Sequence, residues 1–211
     1  MPLCLLRILP SRRIPNRVWL IFSGSFKLPF FIDDVVIFSL KSGQEIDSEL
    51  FEKIKEASLY YLLYNYSLNQ IAISPKISRI LIPKIKQKLY FYQKKYSLEG
   101  EYSFLTDKII LKLSDSGLLD ETLYADFLLK KNHHRSRHYL TRLFSYYNLD
   151  LPSDYQFQDQ KSIRNILIKK KSLSTILSEN AEKNKLIASL ARKGFAYNDI
   201  KTVIDEMLKK G

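Results

Sequence analysis

The chain has 211 residues, 45% of them hydrophobic and only 13 of them glycine or proline, which excludes a disordered chain and favours helices over a loop-rich β protein. Its 34 lysines and arginines against 22 acids give a net charge of +12, which favours a polyanionic partner or an acidic protein surface; a lysine-rich genome is the alternative origin of this charge. The single cysteine, Cys4, excludes an internal disulfide framework.

Residues 1–17 carry a short apolar run that Arg7 interrupts. A secretory signal needs about 7–15 apolar residues after its charges, so this stretch is a poor match. No window of the sequence reaches the roughly 18 apolar residues that span a bilayer. We therefore expect a cytoplasmic protein with a flexible leader over residues 1–17.

Residues 18–45 predict a small N-terminal β element. Two runs of aromatic and β-branched residues, Val18–Phe22 and Phe26–Phe31, flank Ser23-Gly24-Ser25 and predict a hairpin. A short helix is expected over Asp33–Leu40. An isolated hairpin is marginally stable, so this element should pack on the helices that follow.

Residues 46–116 predict a first three-helix repeat. Asp47 is a good N-cap for its first helix, and Leu105–Leu113 has the four-residue apolar spacing of its third. The prolines at 75 and 83 exclude one continuous helix across 67–83, which we interpret as an insertion. Pro83 is then expected as the first residue of the second helix, which runs to about residue 94.

Residues 117–160 and 161–211 predict a second and a third repeat. Gly117 suits the left-handed position after a helix, Leu118 and Leu119 are expected to enter the core, and Asp120 is expected to cap the next helix. The second repeat continues with a helix from Ser136 to Asn148, and its third helix is expected to be shortened around 152–160. Helices near 161–170, 181–193 and 198–209 complete the third repeat.

The second helices of these two repeats match at a fixed offset of 46 residues. The matched positions are Leu140, Phe144, Asn148 and Leu149 with Leu186, Leu190, Gly194 and Phe195. A helical unit that recurs at such a period is typical of tandem repeats. The fold predicted is therefore mainly α, with tandem three-helix repeats in an elongated array and a small N-terminal β-hairpin element.

Catalytic motifs are absent from the sequence. His133, His134 and His138 lie among arginines without the acids or thiols of a metal site, and we interpret them as part of a solvated basic loop. The sequence also lacks a Walker loop, a dinucleotide-binding loop and a nucleophile elbow. We predict neither an enzyme nor a cofactor.

Cations are grouped in three stretches that contain no acid, at 57–98, 127–149 and 160–178. Such clusters could neutralise phosphates in a salt-sensitive, sequence-independent way. Tyrosines are interleaved with them and are candidates for base stacking, although half-buried packing is the commoner role of such residues. They are Tyr90, Tyr92, Tyr96, Tyr139, Tyr146 and Tyr147.

Three segments also carry motifs of a known family. The first has a β element that leads through Lys-x-Gly into a helix, in FFIDDVVIFSLKSGQEIDSELFEKI. The second has a Gly-Leu-Leu-Asp element, in SGLLDETLYADFL, in which Ala125 is kept while Glu121 and Tyr124 replace an Asp and a Phe. KNKLIASLARKGFAYNDIKTVI has a basic-basic-Gly-Phe turn at residues 192–195. In this order, over roughly residues 18–209, they resemble the RecX family of recombination regulators. Its motifs mark structure, here at Gly117, Leu118, Leu119, Asp120, Ala125, Gly194 and Phe195.

The resemblance implies a non-enzymatic, cytoplasmic modulator of the RecA recombinase. Such proteins lie in the groove of the RecA–single-stranded DNA filament, and inhibition of recombinase, ATPase and co-protease activity in recombinational repair and the SOS response is expected. We expect a monomer with no membrane contact, and direct DNA contact is open. Charge clustering alone selects the contact residues, which are Arg135, Arg137, Arg142, Lys169, Lys170, Lys171, Arg192 and Lys193.

Two other functions use the same charges. A general nucleic-acid-binding repeat protein would bind naked DNA without RecA and with a steep salt dependence. A structural adaptor would place the basic surface against an acidic protein only. The direction of the effect on RecA, the repeat that faces DNA, and the role of 67–83 are left open by the sequence.

Overall fold

The computed structural model describes residues 3–169 and 180–209. The chain divides between Asp120 and Glu121 into two compact units. The first unit contains four strands and four helices. Its strands are β1 (Leu3–Pro10), β2 (Arg17–Phe22), β3 (Lys27–Phe31) and β4 (Gln44–Ile46), and its helices are α1 (Ile32–Ile37), α2 (Ser48–Ile73), α3 (Ser78–Tyr96) and α4 (Phe104–Asp115).

The strands form one antiparallel sheet in the order β3-β2-β1-β4. One face of the sheet carries large side chains that are fully buried, among them Leu20, Phe22 and Phe30, and they share a core with residues of α2, α3 and α4. The hydroxyl of Ser58 on α2 donates a hydrogen bond to the Pro29 carbonyl at 2.7 Å, which joins the long helix to the edge strand. The predicted hairpin is confirmed, with Gly24 at φ +75° in its turn.

The prediction of a flexible leader over residues 1–17 is wrong. Residues Leu3–Pro10 form β1, an inner strand that pairs with β2 on one side and β4 on the other. Leu5 on this strand is fully buried, whereas Arg7 is exposed after a shift in register between the two residues. The charge that interrupts the apolar run therefore lies in solvent and does not oppose strand formation.

The first repeat also differs from its prediction between its first two helices. Helix α2 continues to Ile73, and α3 begins at Ser78 with Pro83 inside it, so Pro83 is not the first residue of that helix. The segment 67–83 is therefore mostly helical and lengthens both helices by several residues. Proline lacks a backbone N–H, so its place in α3 costs one helical hydrogen bond.

The second unit consists of five helices within its described residues. They are α5 (Glu121–Asn132), α6 (Arg137–Tyr147), α7 (Asp159–Ile168), α8 (Asn180–Arg192) and α9 (Tyr197–Lys209). Helices α7, α8 and α9 surround a small core in which Ile163, Leu190, Ile200 and Val203 are buried. No helix forms between Tyr147 and Asp159, so the prediction of a third helix in the second repeat is wrong. Pro152 disfavours a helix there, because it lacks a backbone N–H and restricts the residue before it.

Five helices end in the same hydrogen-bonded turn, in which a residue with positive φ precedes an apolar residue. The five pairs are Ser39–Leu40, Ser97–Leu98, Gly117–Leu118, Asn148–Leu149 and Gly194–Phe195. In each turn the apolar residue donates its N–H to the carbonyl five residues back, at distances of 2.9 to 3.3 Å. This is the Schellman motif. The predicted match of α6 with α8 at 46 residues is confirmed, and α3 ends in the same way.

The fold prediction is confirmed in that the protein is mainly α with a small N-terminal β element. Among the described residues, none of the helices combines the length and the apolar character that a membrane span requires.

Candidate functional site

A cleft with basic walls lies in the second unit, beside the turn between α8 and α9. We call it the basic cleft, and its volume is about 350 Å³. Its lining residues are His138, Tyr139, Arg142, Leu143, Arg192, Lys193 and Gly194. Two arginines and one lysine line this cleft, and none of the residues that line it is acidic, so it suits an anionic group.

The hydroxyl of Ser136 fixes one wall of the basic cleft against the other. Its Oγ accepts a hydrogen bond from the Tyr139 N–H at 3.2 Å, which caps the N-terminus of α6 as predicted. The same oxygen donates to the Lys193 carbonyl at 2.9 Å, and Ser136 is fully buried. The start of α6 and the end of α8 are therefore held at a fixed distance.

Gly194 permits this close approach. A Cβ at this position would lie 2.7 Å from the Ser136 Oγ, which is closer than real side chains come. Its φ of +85° is also a conformation that glycine adopts without strain. The prediction that Gly194 lies in the left-handed region is confirmed. Glycine is favoured at this position for two reasons, the positive φ and the close approach of the Ser136 Oγ.

A carboxylate from α7 supports the other side of the α6 N-terminus. Asp159 accepts hydrogen bonds from the Arg137 N–H at 3.0 and 3.2 Å. Burial raises the pKa of Asp159 above its ordinary value, the bond from the Arg137 N–H opposes that rise, and Asp199 adds to it. A negative charge at a helix N-terminus is favourable, so Asp159 anchors α6 to α7.

Six of the eight predicted contact residues lie among the described residues of the second unit, and all six are exposed. Arg142, Arg192 and Lys193 come together in the basic cleft. The guanidinium carbon of Arg135 lies 5.1 Å from the centre of the ring of Tyr139, a cleft residue, so Arg135 adjoins the basic cleft. Lys170 and Lys171 lie outside the described residues.

Arg137 and Lys169 have other surroundings. The guanidinium of Arg137 lies 4.9 Å from the centre of the Phe157 ring, in a neighbouring pocket that Asp159 and Asp199 also line. Lys169 follows α7 and acts electrostatically on His134. The acids beside Arg137 make that pocket a poorer site for an anion than the basic cleft.

The structural-motif residues mostly lie as predicted. Gly117 has a φ of +67° in the turn after α4, and Leu118 donates its N–H to the Leu113 carbonyl at 3.0 Å. Helix α5 begins directly after Asp120, and Ala125 and Phe195 are buried. The prediction that Leu118 enters the core is wrong, since it is 38% exposed, while the side chain of its neighbour at position 119 packs half-buried against the core of the first unit.

Three residues that line the cleft were not among the predicted contact residues. They are His138, Tyr139 and Leu143, and all lie on α6. The spacing of four residues from His138 to Arg142 places both on one face of that helix, which was the available signal.

Burial and neighbouring positive charges shift the pKa of His134, which lies shortly before α6. Burial and then the charges of Arg135, His133 and Lys169 lower the pKa of this imidazole. The unfolded chain therefore takes up the proton first as the pH falls, and the stability that neutral His134 contributes is lost on acidification from about pH 6.5 downwards.

Arg135→Ala should raise the pKa of His134 towards its ordinary value, because the change removes the largest charge contribution to its shift. The measurement is an NMR titration of the imidazole. Arg164→Ala serves as the control, because Arg164 pairs with Glu206 and does not contribute to the shift. An unchanged pKa in the Arg135 variant would show that burial alone lowers it.

Within residues 3–169 and 180–209, no three His, Cys, Asp or Glu side chains converge as a metal site would require. The chemistry that the basic cleft offers is the binding of negative charge by guanidinium and ammonium groups.

Comparison with known proteins relates these modules to one family. The family model described as "RecX, third three-helix domain" matches residues 158–204, which coincide with α7, α8 and most of α9. The chain is also 24% identical to "Regulatory protein RecX" from Clostridioides difficile (strain 630), over 96% of this chain and 94% of that protein. The chain is thus similar to a RecX regulatory protein over nearly its whole length, and to the RecX family model over its last three helices.

A solved structure agrees with this assignment at the level of the fold. "Crystal structure of regulatory protein RecX" covers 96% of this chain and 99% of its own, with a TM-score of 0.55 and 15% sequence identity. The matched domain contains three residues of the basic-cleft wall, Arg192, Lys193 and Gly194. The cleft is therefore built partly from residues that the RecX family model matches.

Proposed function

We propose that this RecX-family protein binds the RecA–single-stranded DNA filament and inhibits its recombinase, ATPase and co-protease activities in recombinational repair and the SOS response. It acts without a cofactor and without catalysis of its own, as a cytoplasmic monomer. The basic cleft is the contact, and the observation that carries the assignment is the convergence of Arg142, Arg192 and Lys193 there without an acid.

The chemistry of the cleft suits a filament groove lined with acidic side chains and DNA phosphates. Guanidinium groups bind carboxylates and phosphates through paired hydrogen bonds. Arg142 and Arg192 each supply one guanidinium group to the cleft. The Ser136–Lys193 hydrogen bond fixes the backbone beside Arg192 against the start of α6 before binding. A preorganised site loses less conformational entropy when it binds.

Replacing Arg142, Arg192 and Lys193 together with alanine should weaken binding to the filament by at least about tenfold at near-physiological salt, because three exposed cations are lost from one contact. The measurement is fluorescence anisotropy of the labelled protein, titrated with RecA–single-stranded DNA filaments. The melting temperature should not fall, because none of these side chains belongs to the core.

A matched control carries the same loss of charge elsewhere. Lys41, Lys112 and Lys201 are exposed and lie outside the basic cleft, so their triple alanine variant should keep its affinity. Equal weakening in both variants would mean that only net charge matters. Unchanged affinity in the cleft variant would remove the cleft from the contact, and a failure of the intact protein to inhibit the RecA ATPase would contradict inhibition.

A further inference from the structure

A second group of cations lies in the first unit, where it is mixed with aromatic rings along α3. We call this group the aromatic–lysine cluster, and its members are Tyr66, Lys88, Phe91, Tyr92, Lys95 and Tyr96. Tyr66 lies on α2, and the other members lie on α3. None of them belongs to the basic cleft.

Two lysines hold the rings together. The Lys88 Nζ lies 4.1 Å from the centre of the Phe91 ring, 5.0 Å from Tyr92 and 5.6 Å from Tyr66. The Lys95 Nζ lies 5.3 Å from the centre of the Tyr96 ring and 6.0 Å from Phe91. These distances are those of cation–π contacts, so the ammonium groups are positioned at the rings.

Packing against the core explains the presence of some of these rings but not of others. Tyr92 and Tyr96 are partly buried against the core of the first unit, which accounts for their presence. Phe91 is 48% exposed and the neighbouring Tyr90 is 69% exposed, and neither packs on that core. Large apolar rings that remain in water beside cations are surfaces on which a flat, anionic ligand can stack.

The surrounding charge selects the ligand. Residues 57–98 contain seven lysines and arginines and no acid. Lys76 is buried, whereas the other six are at least partly exposed and favour phosphates. The exposed rings favour unpaired bases, since a duplex keeps its bases stacked inside. An acidic peptide would use the charges and leave the rings without a partner.

We propose that the aromatic–lysine cluster binds single-stranded nucleic acid, with bases stacked on Phe91 and on the neighbouring Tyr90, which lies outside the cluster, and with phosphates beside Lys88 and Lys95. Binding is independent of base sequence, because every base has a flat face and the cluster offers rings and ammonium groups to it. This site is separate from the basic cleft and does not depend on the proposed role at the recombinase.

The test is fluorescence anisotropy of a labelled oligothymidylate of about 20 nucleotides, titrated with the full chain in the absence of any recombinase. Phe91→Ala should raise the Kd by about 5- to 100-fold, as expected when one base loses its stacking partner. Phe104→Ala is the matched control, since Phe104 is 45% exposed, lies in the same unit and is not a member of the cluster. Its Kd should stay unchanged.

An abasic strand of the same length separates stacking from charge. It keeps every phosphate and lacks the bases, so Phe91→Ala should leave its already weaker binding unchanged, while a Lys88→Ala, Lys95→Ala double variant should weaken both strands. Equal weakening of both strands by Phe91→Ala would overturn the stacking. Equal affinity of the parent for the single strand and for its duplex, or no effect of Phe91→Ala on either strand, would overturn the site as well.

Discussion

Gly194→Ala should lower the free energy of unfolding of the second unit by about 2–4 kcal/mol, of which roughly 1 kcal/mol is backbone strain at φ +85° and the rest is the collision of the new Cβ with Ser136. The Ser136 Oγ lies 2.7 Å from the Cβ position, and two hydrogen bonds prevent it from moving away cheaply. Urea denaturation followed by far-UV circular dichroism measures the loss.

Gly117→Ala is the matched control for this variant. Gly117 also has positive φ, but its Cβ would meet nothing within 4 Å, so only the strain of about 1 kcal/mol is expected, as a loss of stability of the first unit, to which Gly117 belongs. If both alanine variants lose equal stability, the collision with Ser136 contributes nothing. In a Ser136→Ala background the cost of Gly194→Ala should shrink, because contacting residues are energetically coupled.

Leu5→Ala should destabilise the first unit by about 2–5 kcal/mol, because Leu5 is fully buried in the core under the sheet and its removal leaves a cavity. Its neighbour Leu6 is 48% exposed, so Leu6→Ala should change stability by no more than about 0.5 kcal/mol. Thermal and urea unfolding of the two variants measure the difference between adjacent residues of the same type.

The comparison decides between a strand and a leader. If residues 1–17 were loosely attached, both alanine variants would be as stable as the parent. A large loss for Leu5 with almost none for Leu6 requires the strand β1 in its observed pairing with β2 and β4.

The sequence predicted helix ends best where the turn needs a special residue. Gly117, Asn148 and Gly194 all have positive φ as expected, because glycine and asparagine tolerate that conformation better than other residues. The equivalent turn after α3 was missed, since serine at position 97 gives no such signal and packing of Leu98 stabilises the turn. Tertiary contacts there outweigh local preference.

The β element shows the same limit. The hairpin of β2 and β3 is local and was predicted from its turn, whereas β1 pairs with β4 through Leu3–Ile46 and Leu5–Gln44, about 40 residues apart in the chain. Local patterns around Arg7 cannot report such a pairing. Pro83 predicted a helix start that does not exist, because α3 accommodates this proline internally.

The grouping of the predicted contact residues depends on the fold. Charge clustering selected Arg142, Arg192 and Lys193, and these three meet in one cleft although Arg142 lies 50 residues before Arg192 in the chain. It could not separate them from Arg137, whose pocket contains acids, because those acids come from α7 and α9. Which cations share a surface depends on helix packing.

The hydrogen bond from Ser136 to the Lys193 carbonyl has a consequence for cooperativity. It joins the start of α6 to the turn after α8, and Asp159 adds a bond from α7 to the same helix start. Helices that share such bonds cannot open separately without losing them. The amide protons of Tyr139 and Gly194 should therefore exchange with solvent through one common opening event, so that α6 and the three-helix domain after it unfold as a single unit.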